Sequence, residues 1–425
     1  MARNHMNHPE KARRVVITGM GIVAPNGCGL APFWQSIVLG QSAAAKIRRF
    51  DTSSVPTKVG CELKDFDAKK YMEAKMTRRY DLSIQYGIAA SRMAADDAGI
   101  KLASMDPDRL GIVEGTSVSG MESSFKGQIT YLTKGYNHMS PFTLINAYTG
   151  GGSGEIAMEL GIKGHAVSYC SGSASGNDAI GHAYSMILED DVDVMVAGGA
   201  EAPILAPLWG AFCQTKVMTL RNDEPLGAMR PLDKTRDGFL LGEGAGFLVL
   251  EELSHALARD AKIYAEVAGH GRSCEAYHSV SPHPDGIGMK RAMEKALRAA
   301  RMLPSEIDYI NIHGTATTAN DIVEMRAIKS VFNGHSKSVA ISSTKPVTGH
   351  TLAAAGAIES VVCALAIHNG EIPFTLNLTT PEDECAGNLV TGRSRLYPLN
   401  AVMNLSCGFG GKNSCLILKR HSGRP

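Results

Sequence analysis

Three short segments rich in glycine and small residues hold the chemistry of this 425-residue chain: SYCSGSASGNDAIGHA around Ser173, NIHGTATTAND around His313, and SSTKPVTGHTLAAAGAIES around His350. Together they supply one hydroxyl nucleophile, two imidazoles and a lysine, Lys345, the equipment of acyl transfer or decarboxylative carbon chemistry. Ser173 is expected where a strand over 166–170 gives way to a helix through Ile180, facing backbone N–H groups and the positive helix end, which can hold an oxyanion. A serine at that junction is equally suited to cap the helix. His313 is expected at the open end of a strand over 309–312, where sites of layered α/β proteins form. His350 is read as opening an alanine-rich helix, whose positive end disfavours the imidazolium and keeps the ring neutral. Glu359 lies inside that otherwise apolar helix, and a buried carboxylate needs a partner; Lys345 is the obvious one, as a structural ion pair or as part of the site. Around Phe409, the run NLSCGFGGKN permits close backbone approach, as an oxyanion loop, a swinging aromatic gate or a plain hairpin turn. The run GGGSG at 150–154 lacks the lysine and spacing of a phosphate loop and is assigned to packing or a turn.

The elements that must position these groups alternate. Apolar runs end in glycine or acid at RVVITGMG, DVMVAGGAE, FLVLEE and YINIHG, and such continuous runs suggest a sheet covered on both faces. Alanine-rich helical stretches lie between them at 81–98, 176–189, 290–300 and 351–369, an α/β pattern. The stretches SGNDAIGHAYSMI and GHTLAAAGAIESVVCAL share a small-residue face and a bulky tail, which suits a helix layer packed closely on all sides. Two related α/β halves are therefore expected, 14–262 and 263–425, after a disordered lead-in or expression remnant over 1–13. Apolar residues at 44% are ample for large cores, and 43 Lys plus Arg against 42 Asp plus Glu give no field to hold nucleic acid or an anionic membrane. The nine cysteines show no paired spacing and no apolar run approaches a membrane span, so reduced thiols in the cytoplasm are expected. No metal is expected, because His313 and His350 lack ligand spacing.

The motifs GGAEAP, RPLDKTRDGFLLGEGAG, AYHSVSP, HGTATTAND, STKPVTGH and GFGG stand in an order that resembles the β-ketoacyl-[acyl carrier protein] synthases of the elongating type II class, including polyketide and polyene ketosynthases. The resemblance runs from about Arg14 to Lys419. It implies the thiolase-like fold, two βαβαβαββ halves in five α-β-α-β-α layers. It also implies a homodimer, or a heterodimer with a chain-length partner. The implied reaction is a ping-pong decarboxylative Claisen condensation in fatty-acid or polyketide assembly, fed by acyl carrier protein. No cofactor is held permanently; phosphopantetheine arrives on the carrier. By the same resemblance His313 and His350 promote decarboxylation and stabilise enolate charge, and Lys345 with Glu359 supports them. Thr315 and Thr317 contact pantetheine, while Phe409 gates the site and shares an oxyanion hole with residue 173.

The nucleophile itself departs from the family. Aligning back from GNDAIGHA places the family's cysteine position on Ser173, with Cys170 three residues upstream. A hydroxyl is far less acidic than a thiol, so condensation is expected to be impaired. Three readings stand: a deliberate replacement of cysteine by serine, a malonyl carrier-protein decarboxylase or priming subunit, and a serine acyltransferase or hydrolase. A non-catalytic carrier-protein-binding subunit has no evident need of both histidines and the lysine. Cys407 stands where the family usually has phenylalanine. The run Glu122, Ser123 and Ser124 falls where the family lines the far end of its acyl pocket with large aliphatic residues, implying room for a longer, bulkier or more polar chain.

Overall fold

The computed structural model describes residues 13–101 and 105–423. Residues 1–12 of the expected lead-in lie outside them, and Arg13 is tied down, its guanidinium donating to Asp193 Oδ1 at 2.5 Å. Ten strands carry the architecture. Those of the first half are β1 (Val15–Ala24), β2 (Leu110–Gly115), β3 (Ala166–Tyr169), β4 (Val194–Glu201) and β5 (Gly244–Glu252). Those of the second half are β6 (Ala265–Cys274), β7 (Tyr309–Asn311), β8 (Ala340–Ser342), β9 (Ala401–Gly408) and β10 (Lys412–Lys419). Hydrogen bonding orders them β3-β2-β4-β5-β1 and, mirrored, β6-β10-β9-β7-β8, the two sets joined by three residue pairs between β1 and β6. In both halves the first and last strands pair antiparallel and the inner crossovers are parallel, so each half has the same topology. All ten residues of β1 and all eight of β4 are buried, as their apolar runs require.

Both halves also solve one packing problem the same way. Helix α1 (Leu82–Ala98) crosses β1 so closely that a Cβ on Gly21 would stand 1.9 Å from Ala90 O, and one on Gly19 would stand 2.2 Å from Ala94 O. The three short helices α2 (Met121–Lys134), α3 (Phe142–Ala147) and α4 (Gly151–Leu160) follow. The glycines of 150–154 are thus a helix start rather than a turn, and Gly152 leaves room for the Glu114 carboxylate. Between the halves lies α5 (Ser175–Leu188). In the second half α6 (Ile287–Ala300) crosses β6, where a Cβ on Gly271 would meet Ala292 O at 2.1 Å and one on Gly269 would meet Ala296 O at 2.5 Å. Helix α7 (Thr318–Phe332) packs on α6, and α8 (Ala355–Asn369) returns to the centre.

Helices α5 and α8 touch each other and strands of both halves, making the middle of five layers with α1 and α6 outside. Their backbones meet: a Cβ on Gly176 would stand 2.7 Å from Ala357 N. A buried amide bridge seals the contact, Asn404 Nδ2 of β9 donating to Asn177 Oδ1 of α5 at 3.1 Å and to Gly356 O of α8 at 2.9 Å. Each central helix is preceded by a single 3-10 turn, Gly172–Ala174 and Leu352–Ala354, whose first residue has a positive φ of 63° and 48°. The stretch Leu352–Asn369 has the length and hydropathy of a membrane span, but 89% of it is buried inside the protein, as befits a central core helix.

The close strand–helix crossings predict matched costs in the two halves. Gly21→Ala and Gly271→Ala are each expected to destabilise by on the order of 3 kcal/mol in chemical denaturation. Gly154→Ala, whose added Cβ has nothing within 4 Å, is expected to be neutral or stabilising by up to about 1 kcal/mol.

Candidate active site

Ser173 sits in the 3-10 turn ahead of α5, with its Oγ 3.0 Å from His350 Nε2. The capping alternative fails, because Ser175 serves the turn instead: its Oγ donates to Gly172 O at 2.6 Å and accepts from Ser171 N at 2.9 Å. His313 follows β7, and its ring meets that of His350 edge to face at 5.2 Å between centroids. His350 lies between the short helix Lys345–Thr348 and the 3-10 turn, five residues ahead of α8 rather than at its first turn. Backbone bonds to both sides of β5's approach fix it, His350 N donating to Leu240 O at 2.7 Å and Gly242 N to His350 O at 3.0 Å. Phe239 closes over the ring edge to face at 5.2 Å.

Both imidazoles are held neutral. Burial pushes His313 and His350 well below the usual histidine range, and the charge of Lys345 pushes both the same way. The cause assigned to His350 from sequence, a helix end, is thus replaced by burial and a neighbouring cation. Lys345 is itself buried and donates from Nζ to Glu359 Oε1 at 2.5 Å. Burial raises the Glu359 carboxyl, Lys345 pulls it back, and the balance lies at about 7. Its other oxygen, Oε2, has no hydrogen-bond partner among the described residues.

A cavity of about 280 Å³ is lined by Ser173, His313, His350, Thr315, Thr317 and Phe409 among others. Lys345 and Glu359 lie outside its lining. The two threonine hydroxyls are 3.3 Å apart. Phe409 stands at the tip of the β9–β10 hairpin, 43% exposed, with its ring 6.4 Å from that of Phe212. The hairpin lies against the Ser173 turn: a Cβ on Gly408 would stand 3.1 Å from Ser173 N and 2.6 Å from Ser171 O. Phe409 is thus carried by a hairpin turn that borders the cavity. Cys407 also lines the cavity, its thiol pushed well above the usual range by burial. Cys170 is exposed and outside the lining, so the side chain presented to His350 is Ser173.

The polar run Glu122 to Ser124 does not line this cavity. Ser123 Oγ donates to Asp81 Oδ2 at 2.9 Å, Glu122 pairs with Lys126 at 2.6 Å, and the wall is formed upstream by Ser117 and Val118. Two buried carboxylates that hold cavity walls were not singled out from sequence. Glu324 of α7 accepts from His313 N at 2.6 Å and Gly314 N at 2.9 Å, and burial raises it to about 7. Glu201, at the end of β4, accepts from Ser117 N at 2.8 Å and Val118 N at 3.0 Å. The signal used for Glu359, an acid inside an apolar helix, is weaker at Glu324, whose helix also carries Asp321, Arg326 and Lys329. Among the described residues no group of three or more His, Cys, Asp or Glu is placed to hold a metal ion.

A hydroxyl beside one of two neutral imidazoles, in a half-open apolar cavity between two like halves, defines an acyltransferase of the thiolase-like class. The β-ketoacyl synthase N-terminal domain matches residues 12–256 and its C-terminal domain residues 264–379; the chain belongs to the β-ketoacyl synthase family. It is 41% identical over 408 residues to a 3-oxoacyl-[acyl-carrier-protein] synthase 2 of Coxiella burnetii, covering 96% of this chain and 99% of that one. Among solved structures it resembles the ishigamide ketosynthase/chain length factor, with a TM-score of 0.91 and 34% identity over 97% of this chain and 100% of that one. It also resembles a ketosynthase solved in complex with its type II polyketide acyl-carrier protein and bound to the hexaketide, with a TM-score of 0.89 and 30% identity, covering 96% and 100% of the two chains.

The charge of Lys345 sets a testable acid limit. Lys345→Met alone strands Glu359 and is expected to cost about 3–5 kcal/mol, most of it recovered by adding Glu359→Gln. In the double variant the depressing charge is gone, so both imidazoles are expected to titrate at higher pH than in the parent. The acid limb of malonyl decarboxylation then moves upward in pH, which a rate profile measures directly.

Proposed function

We propose that the protein is a ketosynthase that joins acyl and malonyl groups delivered on acyl carrier protein, with Ser173 as the acyl acceptor. The observation that carries this reading is the 3.0 Å contact of Ser173 Oγ with His350 Nε2, with His313 at 5.2 Å across the same cavity. In the first half-reaction Ser173 Oγ attacks the thioester carbonyl, forming a C–O bond and breaking the C–S bond. Its proton passes through His350 Nε2 to the departing pantetheine thiolate. In the second, malonyl thioester loses carbon dioxide, and the electron pair of the broken C–C bond becomes an enolate, whose oxygen takes hydrogen bonds from His313 and His350. The enolate carbon attacks the seryl ester, a C–C bond forms, the C–O bond to Ser173 breaks, and the departing Oγ takes a proton from solvent water through His350 Nε2. Thr315 and Thr317 border the path of the pantetheine arm, and the Phe409 hairpin supplies an amide beside that of residue 173 for the oxyanion. Burial keeps both imidazoles neutral and Lys345 adds to it from behind, with Glu359 holding the lysine in place.

Serine makes the first step slow, because neither neutral imidazole is backed by a carboxylate: Nδ1 of each has no hydrogen-bond partner among the described residues. Decarboxylation asks for the imidazoles alone, which keeps the malonyl carrier-protein decarboxylase as the second reading. The division into halves at 262/263 is part of the proposal, supported by the repeated topology on either side. So is a second subunit, a copy or a chain-length partner: Leu132, Tyr136, Leu144, Tyr148 and Met158 are exposed on the α2–α4 face. A cytoplasmic location fits the nine free cysteines.

One assay tests the reading. With malonyl and acyl carrier proteins together, β-ketoacyl product is expected, and Ser173→Cys is expected to raise its rate at least tenfold, about 1.4 kcal/mol of barrier. Release of acetyl carrier protein alone, unchanged by Ser173→Cys, would establish the decarboxylase instead; no product of either kind would leave a binding subunit.

A further inference from the structure

Two residues before Ser173, Ser171 stands outside the cavity lining and reaches a buried polar group that the chemistry above does not use. Ser171 Oγ donates to Asp178 Oδ2 at 2.6 Å. Asp178 projects from the first turn of α5 and is 7% exposed. Its second oxygen, Oδ1, makes no hydrogen bond among the described residues and lies 3.4 Å from Nε2 of His270. His270 comes from β6 in the other half, and its Nε2 is 2.9 Å from Ser414 Oγ on β10. The imidazole is pressed flat onto α5, where a Cβ on Gly181 would stand 2.2 Å from Nδ1 and 2.3 Å from Cγ, so only glycine at that position admits the ring. Burial works against the Asp178 carboxylate, yet the contacts with His270 and Ser171 outweigh it and hold the group below the usual range, charged.

Ser414, His270 and Asp178 have the residue types of a hydrolytic triad. Ser414 is 1% exposed, and neither it nor His270 lines the cavity, so no substrate carbonyl reaches that hydroxyl. The end of the network that does lead to reacting atoms is Ser171. Its backbone N–H is bound by Ser175 Oγ and its side chain by Asp178, so the N-terminal end of the 3-10 turn bearing Ser173 is tied twice to α5, into which the other end runs directly.

We infer that Asp178, held by His270 across the boundary between the halves, is a positioning residue for Ser173: it anchors Ser171 and so fixes the turn that aims the hydroxyl at His350. The inference rests on Ser173 being the acyl acceptor, and its test is made independent of acyl transfer. In the Ser173→Cys background, the alkylation rate of that thiol by iodoacetamide is followed site by site by mass spectrometry. Asp178→Asn and Ser171→Ala are each expected to slow it at least fivefold. The two together are expected to slow it no further than the stronger alone, and Ser171→Thr is expected to keep the parent rate. Unchanged rates, effects that multiply, or Ser171→Thr behaving like Ser171→Ala would each overturn the inference. Should Asp178→Asn fail to fold, the half-buried Ser171 pair of variants decides it. A normal alkylation response in a protein that never accepts an acyl group would remove the acyl-acceptor reading and leave the positioning role standing.

Discussion

Everything at the centre of this protein depends on two helices from different halves meeting at backbone distance. Helix α5 carries the Ser173 turn at its start, α8 carries Glu359, and Gly176 lies against Ala357 with no side chain between them. That proximity is possible only because both contact faces are glycine, alanine and serine. It fixes the separation of the groups they bring, so the hydroxyl of one half and the imidazoles of the other share a cavity whose walls are set by backbone. The same closeness forces polar groups inward, and the amide of Asn404 meets that demand by bonding to both helices at once.

Lys345 is the second consequence. A cation buried at the centre needs a carboxylate, and Glu359 is delivered by the helix that already has to be there. The pair does not line the cavity. Burial does most to depress the basicity of the two imidazoles, and the one ammonium group pushes both further the same way. Charge and packing therefore act as one design, since moving α8 would move Glu359 and release the charge that tunes the rings.

Much of this was legible in the sequence, and what was not has identifiable causes. Buried parallel strands advertise themselves as unbroken apolar runs, so β1, β4, β5 and β7 stand where the composition of their segments places them. The halves were visible because alanine-rich helices recur with the same small face. The surroundings of His350 were misread because α8 starts at Ala355, after a 3-10 turn opened by Leu352 at positive φ, a conformation that leucine does not announce. Glu122 to Ser124 lie outside the cavity lining because Asp81, some forty residues earlier, captures Ser123, a pairing that a linear reading does not show. Glu324 is hard to pick out because its helix carries Asp321, Arg326 and Lys329 as well, so a single acid does not stand out there as Glu359 does in α8. The Asp178–His270 contact was beyond reach, since its partners come from opposite halves and neither looks unusual alone.

The paired 3-10 turns give the repeated architecture an asymmetry worth drawing out. Gly172–Ala174 and Leu352–Ala354 occupy corresponding places before α5 and α8, so Ala353 is the counterpart of Ser173. One twin bears the hydroxyl that meets His350 and begins with a residue that adopts its backbone shape freely. The other bears a methyl group and begins with leucine, which takes that shape at a cost of about 1–2 kcal/mol. The silent twin carries that strain and follows His350 after Thr351. The two halves thus hold matching turns of opposite character, one presenting a hydroxyl to the cavity and the other, strained and without a polar side chain, placed just after the imidazole that hydroxyl meets.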